Sequence, residues 1–190
     1  SYMDDLSISA SSTSLMKNVR TLNREISALF QKGEESAIQF DPAKTELIHF
    51  TTSQKAPLAL IKLPDQTIVK PAKVVKWLGI DFDDALSFKE HIATRVSRAT
   101  SAFHRMCRLA NKERGLSPFA MRQLYMACVV SVADFASPIY WKGQEIAKTR
   151  FQSLQNIALH RILGTFRTTP TIPSEVEAAL PPPEIRLNTN

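Results

Sequence analysis

Leu15, Val19, Leu22, Ile26, Leu29 and Phe30 step by three and four, with Lys17, Arg20, Arg24 and Gln31 turned to the other side. That period predicts an amphipathic helix over 14–32, with the Ser- and Thr-rich segment 9–14 to cap it and Gly33 to end it. Ahead of it, Leu6 and Ile8 alternate with Ser7 and Ser9, as on a half-buried strand. Behind it the period falls to two. Ile38 and Phe40, then Ile48 and Phe50, alternate with polar neighbours and predict strands over 36–40 and 45–51, joined at Asp41-Pro42-Ala43-Lys44. A weaker pair is expected at 58–63 and 67–70, turning at Pro64-Asp65. The strongest strand signal is 74–82, and Gly79 inside it predicts a bulge or a close backbone approach.

From Asp83 onward the pattern is helical. A helix over 87–114 places Phe88, Ile92, Val96, Ala99, Phe103, Met106 and Ala110 on one face. Arg98, Arg105 and Lys112 recur every seven residues on the opposite face, with Arg95 and Arg108 at its edges. Ser117 and Pro118 suit the cap and first residue of a second helix, to about Phe135, apolar on most sides and expected to be the most buried. A third runs over 144–163, with Ala147, Phe151, Leu154, Ala158 and Ile162 inward and Gly164 as its stop. The remainder is Pro-rich, with capping-box spacing at Ser174 and Glu177 for one short helix.

Composition adds little, and charge adds more. The chain has 190 residues, 44% of them apolar and 22% charged, as in an ordinary globular protein. No apolar run approaches the roughly 20 residues that span a bilayer, and no membrane association is expected. Cys107 and Cys128 lack metal-ligand spacing and read as buried, reduced thiols of an intracellular protein. The net charge of +6 is uneven: −1 over 1–86, +9 over 87–167 and −2 over 168–190. A basic block of that size suits a polyanion.

The candidate chemistry is Tyr2-Met3-Asp4-Asp5. Adjacent carboxylates can hold a divalent cation such as magnesium, although such pairs also cap surface turns. Asp81-Phe82-Asp83-Asp84 is a second acidic cluster and reads as a strand end and helix cap. His91 and His160 have no partner pattern and read as packing or surface residues.

Four stretches in one order carry a resemblance. They are Tyr2 to Asp5; Phe40-Asp41-Pro42-Ala43-Lys44-Thr45-Glu46; Trp77-Leu78-Gly79-Ile80 leading to Leu86-Ser87-Phe88; and Gln155-Asn156-Ile157-Ala158-Leu159 with Arg161-Ile162-Leu163-Gly164. Together they resemble the second half of the palm and the thumb of a non-LTR (LINE-type) retrotransposon reverse transcriptase. The resemblance implies an α+β fold: an incomplete antiparallel palm sheet with one main helix over 1–86, a basic three-helix thumb over 87–167, and a Pro-rich tail or linker over 168–190.

It also implies roles. Asp4 and Asp5 would be catalytic and would bind Mg2+, in a two-ion site completed by residues outside this chain. Lys44 would neutralise the leaving pyrophosphate; otherwise it is a solvated turn lysine. Tyr2, Trp77, Leu78 and Gly79 would lie against primer and template, with a core aromatic as the bland reading for Trp77. Arg95, Arg98, Arg105 and Lys112 would contact phosphates, although seven-residue spacing describes any solvated helix face. The implied partners are an RNA template, a DNA primer, dNTP, and the upstream fingers and palm of the same polyprotein. The implied location is intracellular, and nuclear during target-primed integration. On this reading the chain is a fragment, inactive alone because a facing palm aspartate and the fingers lie upstream. The competing readings are a non-catalytic helical module that binds nucleic acid, and a decayed retroelement remnant.

Overall fold

A computed structural model describes residues 5–51, 59–108 and 115–189. The chain divides into two compact units, Ser1–Ser87 and Phe88–Asn190. Both helices and small antiparallel ladders are present, as an α+β chain requires.

In the first unit, α1 spans Leu15–Glu35 and buries Val19, Leu22 and Ile26, the stripe that the period predicts. These pack against Leu47, Ala59, Ile61, Leu63 and Val69 as one apolar core. Each Val, Leu and Ile among them contributes roughly 1.5–3 kcal/mol when withdrawn from water. Gly33 does not end the helix, which runs two residues further. Its missing side chain serves packing instead: a Cβ there would lie 2.6 Å from the Phe40 ring. The stop is Ala37, held at φ 55°. The Ile38 N–H donates to the Gly33 carbonyl at 2.8 Å, and the Ala37 N–H to the Glu34 carbonyl at 3.2 Å. This is a Schellman closure with alanine in the left-handed position that glycine prefers. Ala37→Gly should therefore stabilise the unit by about 0.5–1 kcal/mol. A rise in the urea midpoint checks it, and a fall would contradict the assignment.

Among the described residues, the ladders are fewer than the alternation predicts. Strands β1 (Ile61–Lys62) and β2 (Ile68–Val69) pair antiparallel, with Ile61 opposite Val69. Asp65 forms the turn between them by accepting from the Thr67 N–H and hydroxyl at 3.0 and 2.7 Å. The predicted strand over 74–82 is a hairpin: β3 (Val74–Trp77) pairs with β4 (Ile80–Asp83). Gly79 is thus a turn residue and not a bulge. Leu78 and Gly79, at φ 48° and 80°, have the paired positive angles of a tight hairpin turn whose twist matches the strands.

Residues 36–40 and 45–51 do not pair with each other. The Phe40 ring is drawn back onto Phe30, with centroids 5.3 Å apart. Asp41 caps a 3-10 turn, Pro42–Lys44, by accepting from the Ala43 N–H at 3.0 Å. The chain then runs along 71–73, through a lone bridge from Leu47 to Pro71. Leu6 and Ile8 are exposed and form no strand, and Asp5 makes one isolated bridge.

The second unit is helical. Helix α2 (Lys89–Cys107) buries Ile92, Ala99, Phe103 and Met106 as predicted, and also His91 and Arg95. Residues 109–114 of the predicted helix lie outside the described residues. The next helix starts at Ser117, whose hydroxyl accepts from the Ala120 N–H at 3.3 Å, with Pro118 in its first turn. It comprises α3 (Pro118–Leu124), a π-helical stretch (Tyr125–Val130) and α4 (Ser131–Ala133). It is buried on one side only: Met121, Tyr125, Val129 and Ala133 face inward, while Ala127, Cys128 and Ser131 are exposed. Cys128 is therefore not the buried thiol that its apolar neighbours predict, and Cys107 is half-buried. Small residues leave little apolar area in water, so that exposure costs little. Short helix α5 (Ser137–Tyr140) leads to α6 (Glu145–Leu163), which has its predicted inward face and ends at Gly164 with φ 67°.

The Pro-rich tail is packed and helical, not irregular. Helices α7 (Thr171–Glu177) and α8 (Pro183–Thr189) bury Ser174, Glu175, Leu180, Arg186 and Leu187 with the connection between them. Ser174 lies inside α7, its hydroxyl donating to the Pro170 carbonyl at 2.8 Å, and does not cap it. A polar network fixes this segment. Arg186 donates to both oxygens of Asp134, at 2.5 and 3.1 Å, and to Gln155 at 2.9 Å. Gln155 and Gln152 donate to Glu175, at 2.9 and 2.8 Å. Arg122 donates to the carbonyls of Ala178 and Ala179, both at 2.8 Å.

Tyr125 and Tyr140 are sealed within this unit, and Tyr140 donates to the Ala133 carbonyl at 3.2 Å. Burial pushes Tyr125 from the ordinary value of 10 up to about 12 and raises Tyr140 as well. A folded-state value above the unfolded one means full stability below pH 10, lost as pH rises through the folded value. Between pH 10 and 12 the Tyr125 contribution alone should remove on the order of 2 kcal/mol. The thermal midpoint should fall through that window and fall less in Tyr125→Phe; equal curves for the two proteins would contradict it.

Candidate nucleic-acid interface

Helix α2 carries the basic face. Arg98 and Arg105 are exposed and lie seven residues, or roughly 10 Å, apart along it. They line an open groove of about 700 Å3 with Ala102 and Met106 from α2, and with Leu124, Cys128 and Val132 from the helix opposite. The floor is apolar and the upper edge carries fixed positive charge. Arg95 also lines the groove but is buried, its guanidinium 4.3 Å from the centre of the Phe135 ring. That stacking makes it a structural cation at the base of the basic face. Lys112 lies outside the described residues.

The net +9 of this block overstates the charge free to meet a ligand. Arg122 is occupied by the tail carbonyls. Lys148 bridges Glu145 and Glu184 at 3.0 and 2.7 Å, and these partners raise its pKa above the ordinary lysine value. Arg161 reaches the Cys107 carbonyl at 3.5 Å. Charge counting along the sequence does not show the ties of Arg122 to Ala178 and Ala179, of Lys148 to Glu184 or of Arg161 to Cys107, because these partners are distant in the chain.

In the first unit, Lys44 belongs to the 3-10 turn and Trp77, Leu78 and Gly79 to the β3–β4 hairpin. Lys44 is exposed and pairs loosely with Asp41, at 3.7 Å. Trp77 sits at the end of β3, tilted against Phe82 at 6.3 Å, so its ring covers the hairpin rather than a core. Leu78 and Gly79 form the tip beside it, with Leu78 exposed. Asp83 is buried, and its carboxylate accepts from the N–H groups of Ala85 and Ser87 at 3.1 and 2.8 Å. It organises the turn after β4; the N-cap position of the following helix is Phe88, whose side chain makes no capping hydrogen bond. Asp5 is exposed, whereas Tyr2 and Asp4 lie outside the described residues. Among the described residues, no three acidic, thiol or imidazole groups come together to hold a metal. No helix among the described residues is long and apolar enough to cross a membrane.

A Drosophila melanogaster protein named "Probable RNA-directed DNA polymerase from transposon BS" is 26% identical over 162 residues, covering 85% of this chain. The chain is similar to the polymerase proteins of non-LTR retrotransposons. A 115 kDa protein in type-1 retrotransposable element R1DM, also from D. melanogaster, is 28% identical over 109 residues, or 56% of the chain. The non-LTR resemblance carried by the four motif stretches is thus matched by similarity running through both units. The chain spans only 18% and 11% of the lengths of these two relatives. No protein-family model and no solved structure matches it.

Proposed function

We propose that this chain is a segment of a non-LTR retrotransposon RNA-directed DNA polymerase, and that its helical unit grips the nucleic acid. In this reading residues 1–86 are the second part of a palm and 87–167 a thumb, with the tail packed on the helices. The observation that carries it is the pair of exposed arginines, Arg98 and Arg105, two turns apart on the edge of one groove. Guanidinium groups so placed suit successive phosphate contacts along a backbone. RNA template, DNA primer and dNTP are the partners this reading requires. Asp4 and Asp5 supply carboxylates for magnesium at the polymerising centre. Lys44 is near the leaving pyrophosphate, and the Trp77-Leu78-Gly79 tip lies against the primer with Tyr2 nearby.

Polymerisation by the isolated chain is not expected on this reading, in which the rest of a two-ion centre comes from other segments of the polymerase; the chain spans 18% of the length of the transposon BS relative. In a polymerase-length parent, Asp4→Asn should lower primer extension at least 100-fold while leaving primer–template affinity within about twofold. Extension by the isolated chain would refute its partial role. Undiminished extension by the Asp4→Asn parent would remove Asp4 from the centre and favour a purely nucleic-acid-binding module.

A further inference from the structure

On the other side of α2, against α6, lies a smaller pocket of about 260 Å3. Val96, Phe103, Leu154 and Ile157 supply its walls. Thr100, Thr149 and Ser153 also line it, but each hydroxyl donates to a carbonyl one turn back in its own helix, at 2.7, 2.9 and 2.8 Å. Their oxygens turn toward the backbone, and the surface they give the pocket is carbon. At its rim are His104 and Arg150, both exposed, and no acidic residue lines it. His104 stands beside Phe103, with ring centroids 5.8 Å apart.

A pocket of this kind suits a flat apolar group with negative charge on either side. Its volume is below the roughly 300–1,000 Å3 of sites that enclose whole small ligands, so one ring system fits and an entire nucleotide does not. A single strand of nucleic acid presents that combination at every residue: a base with a π face, between two phosphates. We propose that the α2–α6 pocket receives one unstacked base of single-stranded nucleic acid, with Arg150 and His104 at its flanking phosphates. This rests on the proposed nucleic-acid function and adds a second contact surface to it, on the face of α2 away from the Arg98–Arg105 groove.

The test uses the full chain, a fluorescent 12-nucleotide single strand, and the same strand with every base replaced by an abasic unit. Binding is followed by anisotropy at fixed salt. Base stacking of about 1–3 kcal/mol corresponds to a 5- to 150-fold preference for the strand that carries bases. Ser153→Phe, which fills the pocket from an exposed position, should remove most of that preference and leave abasic binding unchanged. Arg150→Ala should weaken both strands. Equal binding of the two strands by the native chain would overturn the proposal and leave the pocket to an apolar side chain of a protein partner. So would an undiminished preference in Ser153→Phe. If Arg98→Ala with Arg105→Ala still weakens binding in either event, the pocket alone is wrong; if it does not, the nucleic-acid reading fails as well.

Discussion

Arg186→Met should destabilise the helical unit by about 3–5 kcal/mol, a large fraction of what holds a domain folded. Arg186 and Asp134 leave only 10% and 9% of their side chains in water and share two hydrogen bonds. Removing the guanidinium strands a carboxylate that is nine-tenths withdrawn from water, and frees the Gln155 carbonyl oxygen that Arg186 also satisfies. The penalty comes from the abandoned charge more than from lost attraction. Arg186→Met combined with Asp134→Leu should therefore recover most of the loss, because an apolar pair of similar volume needs no partner. Lys148→Met, which breaks two ion pairs at the surface, should cost far less. Urea unfolding of the four proteins checks this. Additive losses in the double variant would contradict a buried, mutually dependent pair.

That network also marks where the sequence stops being legible. α1, α2 and α6 are readable because each has an inward face that repeats at the helical period over about five turns, and period is a local signal. The Arg186–Asp134 and Arg122–Ala178 contacts join residues 52 and 56 positions apart and leave no local pattern. The tail therefore reads as a Pro-rich linker when it is part of the core. The burial of Arg95 is hidden for the same reason: its position on α2 is at the edge of the charged face, and the Phe135 ring that covers it comes from the turn after α4.

The hairpin over 74–83 fails differently. Apolar residues run through its turn, and Leu78 adopts a left-handed conformation that leucine rarely accepts, so only Gly79 hints at a reversal. For 36–51 the alternation is present, but the Phe40–Gly33 contact and the Asp41 cap turn the chain before pairing can begin. Of the candidate site, the spacing of Arg98 and Arg105 was readable. The groove beside them was not, since Leu124, Cys128 and Val132 come from a different helix.

Changing Arg98 and Arg105 together to Ala should weaken binding of a primed template roughly 10- to 100-fold, or about 1.4–2.7 kcal/mol. Both side chains are exposed, so the fold should be kept. Each phosphate contact on a duplex releases bound counterions, which sets a slope of about −0.9 per contact in log affinity against log salt. Loss of two contacts should flatten that slope by roughly 1.8. A general loss of fold would lower affinity and the thermal midpoint together, whereas loss of contacts changes the slope and leaves the midpoint.

The most direct measurement is therefore the affinity of the chain for a primed template across a salt series, for the native protein and for Arg98→Ala with Arg105→Ala. The expected result is a steep native slope that is shallower by about two contacts in the variant, at an unchanged thermal midpoint. Parallel slopes, or a native affinity indifferent to salt, would contradict the assignment of this helical unit to nucleic acid.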